Sequence, residues 1–387
     1  MIRAALILGL ALLTGAAAKP DTVWTRVFDS GNDDDVSDMV ALPGGAVVAT
    51  GRASVPGNSG DVLLLKLTDK GDTVWVRITG TTAGESGDGL ALAPDGGFAV
   101  AGGTYADDDF GVLAVRFDSA GNVVWRRTYG DTGRVEDGYC IAACPDGGWL
   151  LAANRMREPG SDWGQHDLWL LRLDDAGDTL WTRVYADSML GFYPEMVTTM
   201  PGGFAVAASL SEMEASDNAV VLRIDGSGNE LGRTVLWSGG DGASCVAAFP
   251  AGDGLVAVGY SSSSADYADT RWAQLDALGP VTATKTYAAR VKTGPAVWRA
   301  WNAARLPDGG MFVAGATQGG SGSQPVPAVL RLDAAGKELW RRSYETPQGM
   351  GRAQAVAALP DGGCVLGCWA AESYGSQSDI YFIRVKP

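Results

Sequence analysis

Pro94-Asp95-Gly96-Gly97-Phe98-Ala99-Val100-Ala101-Gly102-Gly103, followed by Phe117-Asp118-Ser119-Ala120-Gly121-Asn122-Val123-Val124-Trp125, decides how this chain folds. Each stretch joins a tight-turn signal to a short apolar run. Pro-Asp-Gly-Gly and Asp-x-x-Gly both supply the backbone freedom that a hairpin turn needs. Around them the sequence predicts four short strands, over 90–93, 98–102, 112–117 and 123–129. Helical periodicity is missing: no segment after the N-terminus sustains an i, i+3, i+4, i+7 apolar pattern.

The same pattern recurs along the chain. Turns of the first kind stand at Pro43-Gly44-Gly45, Pro145-Asp146-Gly147-Gly148, Pro201-Gly202-Gly203, Pro307-Asp308-Gly309-Gly310 and Pro360-Asp361-Gly362-Gly363, with a degenerate copy at Pro250-Ala251-Gly252-Asp253-Gly254. From Gly45 to Gly363 there are six steps of about 53 residues. The Asp-x-x-Gly element keeps the same period and leads to Trp75, Trp125, Trp181 and Trp340, whereas Gly232 and Ala283 stand where two further tryptophans would fall. Seven four-stranded units of this length predict an all-β, seven-bladed β-propeller with four antiparallel strands per blade. The 54 glycines among 387 residues suit that many turns.

The frame of the repeat predicts how the ring closes. Val23-Trp24-Thr25-Arg26-Val27-Phe28 is a tryptophan strand with no hairpin before it, and Ile380-Tyr381-Phe382-Ile383-Arg384-Val385 is a third strand with nothing after it. The N-terminal strand is therefore expected to complete the last blade, removing two open edges. These motifs, from Phe98 to Thr104 and from Phe117 to Trp125, resemble the bacterial secreted seven-bladed β-propeller repeat family (SBBP-like repeats) over residues 21–387. The resemblance implies the propeller fold and an extracytoplasmic setting, and it implies no reaction.

Residues 1–18 read as a secretory signal peptide: a positive start at Arg3, an apolar run, then Ala16-Ala17-Ala18. The remaining 19–387 form one domain, expected to be soluble and monomeric in the periplasm or outside the cell, with no anchoring or sorting domain after the last strand. Thirty Lys and Arg against 45 Asp and Glu give a net charge of −15. Such a surface disfavours nucleic acid and anionic lipid, and no second apolar run is long enough for membrane insertion.

Within a unit, small residues such as Ala91-Leu92-Ala93 and Val356-Ala357-Ala358 suit the crowded strand nearest the axis. Trp24, Trp75, Trp125, Trp181 and Trp340 suit packing on the outermost strand. Basic residues recur on the third strand (Lys66, Arg116, Arg172, Arg223, Arg331, Arg384) and two positions after the tryptophan (Arg26, Arg77, Arg127, Arg183, Arg342); both sets are read as packing their stems on neighbouring aromatics and pairing with turn aspartates. Five cysteines forbid complete internal pairing. Cys140 and Cys144, like Cys364 and Cys368, are four apart on one strand, about 13 Å when extended and beyond disulfide reach. All five are read as buried thiols, with Cys140 and Cys245 at equivalent positions.

Both conserved turn types fall at one end of the blades, so the variable connections at the other end are the expected binding face. Candidate ligand contacts there are Trp163, His166, Phe192, Tyr193, Tyr267 and Trp298, aromatic groups beside charges that suit a glycan or peptide. Asp33, Asp34, Asp35, Asp107, Asp108 and Asp109 offer hard oxygen donors of the kind calcium takes. No other cofactor is expected. His166 is the single histidine, and no catalytic constellation emerges. The sequence thus points to a non-enzymatic binding module for a glycan, peptide or protein. The alternative is a propeller enzyme (glycosidase, lyase or quinoprotein-like oxidoreductase) with an axial acidic site.

Overall fold

The computed structural model describes residues 21–387 except 56–59, 107–108, 132, 158–165, 187–190, 212–216, 241, 265–266, 289–295 and 320–322, with backbone alone at 109, 264, 267 and 296. It contains 29 strands and no helix among the described residues. After β1 (Thr22–Phe28), the first unit is β2 (Asp34–Ala41), β3 (Val47–Ala53), β4 (Asp61–Leu67) and β5 (Thr73–Thr79). The second is β6 (Gly84–Glu85), β7 (Gly89–Leu92), β8 (Phe98–Ala106), β9 (Asp109–Phe117) and β10 (Val123–Tyr129). The third is β11 (Glu136–Ala143), β12 (Trp149–Met156), β13 (His166–Leu173) and β14 (Thr179–Tyr185), and the fourth β15 (Gly191–Met200), β16 (Gly203–Ser211), β17 (Asp217–Asp225) and β18 (Glu230–Gly239). β19 (Ala243–Ala251), β20 (Gly254–Ser264), β21 (Tyr267–Leu275) and β22 (Val281–Tyr287) precede β23 (Ala296–Arg305), β24 (Met311–Gly319), β25 (Val326–Leu332) and β26 (Glu338–Ser343). The last three strands are β27 (Met350–Ala358), β28 (Cys364–Ala371) and β29 (Ser378–Val385).

Strands within a unit pair antiparallel in chain order. β1 lies beside β29, with Trp24 opposite Arg384 and Phe28 opposite Ile380, and completes the sheet β1-β29-β28-β27. The fifth and sixth units share one sheet through a single parallel bridge, Ala268 to Val297. First strands touch in the order β2, β7, β11, β15, β19, β23, β27, and β27 touches β2 again.

Neighbouring units are clipped together by the repeated motif. Trp24 packs under Gly71, Trp75 under Gly121, Trp125 under Gly177 and Trp181 under Gly228, each glycine closing the Asp-x-x-Gly turn of the next unit, or in Gly71 its Thr68-Asp69-Lys70-Gly71 counterpart. These glycines have positive φ and a Cβ would press on the ring, so the turn needs glycine twice over. Arg26 and Arg77 stack on Trp24 and Trp75 and donate to the Lys70 and Ala120 carbonyls of those turns. Where the tryptophan is lost at Ala283, Trp272 of β21 fills the place against Gly336, and Lys285 donates to Ala335 at 2.7 Å. Substitution from a different strand preserves the clip.

All five cysteines are free and buried. Cys140 and Cys245 are not equivalent, contrary to the sequence reading. Pro250 lies inside β19 opposite Leu255, so the fifth turn is displaced and counting back from its proline gives the wrong register.

Candidate functional site

The first strands share a bulge. Pairing skips one residue between Val36 and Asp38, and likewise at Gly138/Cys140, Pro194/Met196, Cys245/Ala247, Ala300/Asn302 and Ala353/Ala355. In the second unit the strand breaks instead between β6 and β7. A bulge leaves one residue out of the ladder and re-aims its side chain. Space for it comes from the strand behind: a Cβ on Gly51 would overlap the Asp35 carbonyl oxygen, and one on Gly315 the Arg299 carbonyl. Ser37, Tyr139, Glu195, Val246, Trp301 and Gln354 are the released residues, and Asp88 lies in the second unit's gap. All of these except Gln354 line an axial cavity of about 510 Å³, walled by all seven first strands.

Among the described residues, three carboxylic acids line this cavity: Asp38, Asp88 and Glu195. Burial pushes Asp38 up to about 6, opposed by N–H donation from Leu90 at 3.0 Å and Met39 at 2.8 Å and by the Asn302 side chain. Burial also raises Glu195, to about 7, with only the Ser244 hydroxyl at 2.9 Å favouring its charge. Glu195 is enclosed by protein, yet its side chain is exposed to the cavity. Asp88 is raised by burial and accepts from Ser86 Oγ at 2.5 Å. Ser86 Oγ lies 3.1 Å from Tyr105 OH, which donates to Asp137 at 3.2 Å. Asp88, Ser86, Tyr105 and Asp137 thus form one hydrogen-bonded chain. Burial, then the charge of Asp88, raises Asp137. Carboxylates held near neutrality can bind charge or exchange protons.

One layer nearer the variable loops stand Asp35, Asp137, Tyr193, Arg299 and Arg352, each two residues before a bulge. Here Asp35 Oδ1, Arg299 Nε, Arg352 Nε and, from the bulge, Gln354 Oε1 are enclosed with no hydrogen-bond partner among the described residues. Two of these atoms are donors and two are acceptors, and all four belong to residues outside the cavity lining.

Only part of the sequence-predicted set gathers here. Tyr193 belongs to this second layer, with the ring of buried His166 5.8 Å away. Burial lowers the His166 pKa, opposed by the charge of Asp167. Phe192 and Trp298 are corrections: Phe192 is 0% exposed and Trp298 2%, both in core clusters, under Arg233 and Arg341 respectively. The alternation of a strand explains it, since neighbours of an axial residue face the space between sheets. Trp163 lies outside the described residues, and Tyr267 opens β21 with no side chain described.

The first aspartate run splits. Asp33 accepts from the Ser378 N–H at 3.1 Å, Asp34 accepts from Ser30, and Asp35 joins the axial layer. Asp34, raised to about 7 by burial, has carboxylate oxygens of Asp29 and Asp379 within 4.8 Å. Three carboxylates offer three to six oxygens, against the six to eight that calcium takes, so backbone carbonyls or water would have to complete a site here. Asp107 and Asp108 lie outside the described residues, as does the Asp109 side chain.

Sequence reasoning missed Asp38, Asp88, Asp137 and Glu195, although a signal existed. Ser37, Asp88, Tyr139, Glu195, Trp301 and Gln354 each lie six residues before a turn proline, and most are neither small nor apolar.

The chain matches no protein-family model and no curated protein. Among solved structures it is similar to Sqt1 from Chaetomium thermophilum (TM-score 0.53, 11% identity, covering 96% of this chain and 100% of that one). A protein of unknown function from Dyadobacter fermentans DSM 18053 is similar at TM-score 0.54, 13% identity, 94% and 98% coverage. Chaetomium thermophilum Sqt1 bound to the N-terminus of the ribosomal protein L10 gives 0.51, 14%, 93% and 98%. At these identities the likeness carries the fold alone: this chain is all-β, built of four-stranded antiparallel sheets in a propeller-like arrangement.

Proposed function

We propose that this protein is an exported, seven-bladed, ring-closed propeller that acts as a monomeric binding module and takes its ligand in the axial cavity. The seven-fold count is supported by the circuit of first strands from β2 round to β27 and back. Export rests on residues 1–18, which lie outside the described residues, and on the resemblance to secreted propeller repeats. One observation carries the site: bulges at one register, with a strand break at that register in the second unit, aim unlike side chains from six units into a single cavity. The ligand is a peptide or glycan segment entering from the variable-loop face. A propeller-like neighbour bound to a protein N-terminus is consistent with a peptide. The test is a peptide and glycan array, with and without calcium, using wild type and Trp301→Ala. Hits that vanish with Trp301→Ala support the axial site. Hits that survive it place binding elsewhere.

The enzyme alternative gains one observation, the raised carboxylates that line the cavity. Turnover of an array hit that is lost in Glu195→Gln, with binding kept, would favour it.

A further inference from the structure

Taking the axial-site reading as given, we infer that the group the cavity selects is a cation, an ammonium or guanidinium, held by Asp38, Asp88 and Glu195. Cationic side chains near the axis are already engaged. Arg52 and Arg352 act on Asp35, and Arg52 also on Asp88. Arg352 is stacked between Trp301 and Trp369 at 5.5 and 4.9 Å, and Arg299 lies over Tyr260 at 5.7 Å. Arg305, the one cation among the described lining residues, donates to the Pro250 carbonyl. Asp38 and Glu195 receive only backbone N–H, amide or hydroxyl donors. Two carboxylates that line one cavity without a countercharge favour an incoming cation.

A second feature points the same way. Tyr139 and Trp301 add aromatic faces to the lining, the surfaces on which cations sit best. A net charge of −15 steers cations towards the molecule. The volume, about 510 Å³, admits a lysine or arginine side chain or a short polyamine.

Calorimetric titration tests this with four probes: spermidine, a lysine-containing tripeptide, its Nζ-acetylated form and a neutral disaccharide. The expected result is binding of spermidine or the lysine tripeptide, at least tenfold weaker after acetylation and at least tenfold weaker in both Asp88→Asn and Glu195→Gln. These near-isosteric variants remove a buried charge, and a thermal melt verifies that each is folded. Preference between spermidine and the tripeptide distinguishes a free amine from a basic side chain. If the acetylated or neutral probe binds as well, and Trp301→Ala still abolishes it, the axial site stands and the cation reading falls. If no cationic probe binds folded wild type, the cation reading is likewise overturned. Binding unaffected by Trp301→Ala, Asp88→Asn and Glu195→Gln overturns both.

Discussion

Arg223 shows what two local losses do together. In units with an aspartate in the first turn, the third-strand arginine pairs with it: Arg116 with Asp95 at 2.6 Å, Arg172 with Asp146 at 2.7 Å, Arg331 with Asp308 at 2.8 Å. The fourth turn, Pro201-Gly202-Gly203, has no aspartate, and Gly232 leaves open the place of the tryptophan. Arg223 is freed by the first loss and fills the second, donating to the Ala277 and Leu278 carbonyls beside Gly279. Charge-assisted bonds of a buried guanidinium contribute more than exposed ion pairs. Arg223→Ala should therefore lower stability by about 1–3 kcal/mol in a denaturant titration. Arg127→Ala, whose 4.0 Å contact with Asp178 is between exposed groups, should change it by roughly 0–0.5 kcal/mol. Equal effects would mean that Arg223 is not a clip.

At the scale of the element, β1 and the bulges mark what the sequence made legible. A lone tryptophan strand at one end and an unpaired third strand at the other were enough to foresee β1 beside β29, because missing pieces of a repeat are visible in one dimension. Turns, tryptophans and third-strand arginines were legible for the same reason: each keeps its type from unit to unit. The site was not, because what recurs there is a position and not a residue. Ser37, Asp88, Glu195 and Trp301 have nothing in common except their offset from a turn. Phe192 was misplaced beside Tyr193 because one-residue alternation sends adjacent aromatics to opposite environments, and a bulge shifts that alternation. β1 also meets the chain's other end: Lys386 N–H donates to the Asp21 carbonyl at 2.9 Å, and Arg342 pairs with Asp21 at 2.7 Å. Deleting residues 19–29 should strip the edge of β29 and uncover the core cluster that Trp24 and Phe28 pack against, costing several kcal/mol. A thermal melt reads it. A deletion variant that melts at the wild-type temperature would show that β1 is dispensable.

For the whole molecule, the axial acids together with Asp34 predict an unusual dependence of stability on pH. Unfolded carboxylates ionise near 4. In the folded protein burial holds Asp38 at about 6 and Glu195 and Asp34 at about 7, and raises Asp88 and Asp137 in the same direction. Between pH 4 and 7 the folded state therefore binds more protons than the unfolded one, so stability falls as pH rises through that window. Falling net charge on acidification acts in the same sense. His166 acts oppositely, since its lowered pKa makes the unfolded state the better proton binder below about 6.5, but it is one group against five. Below about pH 4 the order reverses, because Asp95 and Asp308, held low by turn N–H groups and by Arg116 and Arg331, then lose their charge. The melting temperature should accordingly be higher at pH 5 than at pH 7.5. Glu195→Gln, which carries no charge at either pH, should raise the neutral-pH value and flatten the slope. A saturating cation should do the same from outside, by lowering the pKa values of the acids it touches and releasing protons as it binds. A melting temperature that stays level or climbs from pH 5 to 7.5 would mean that the axial carboxylates are ordinary solvated acids, and the case for a site at the axis would lose its electrostatic basis.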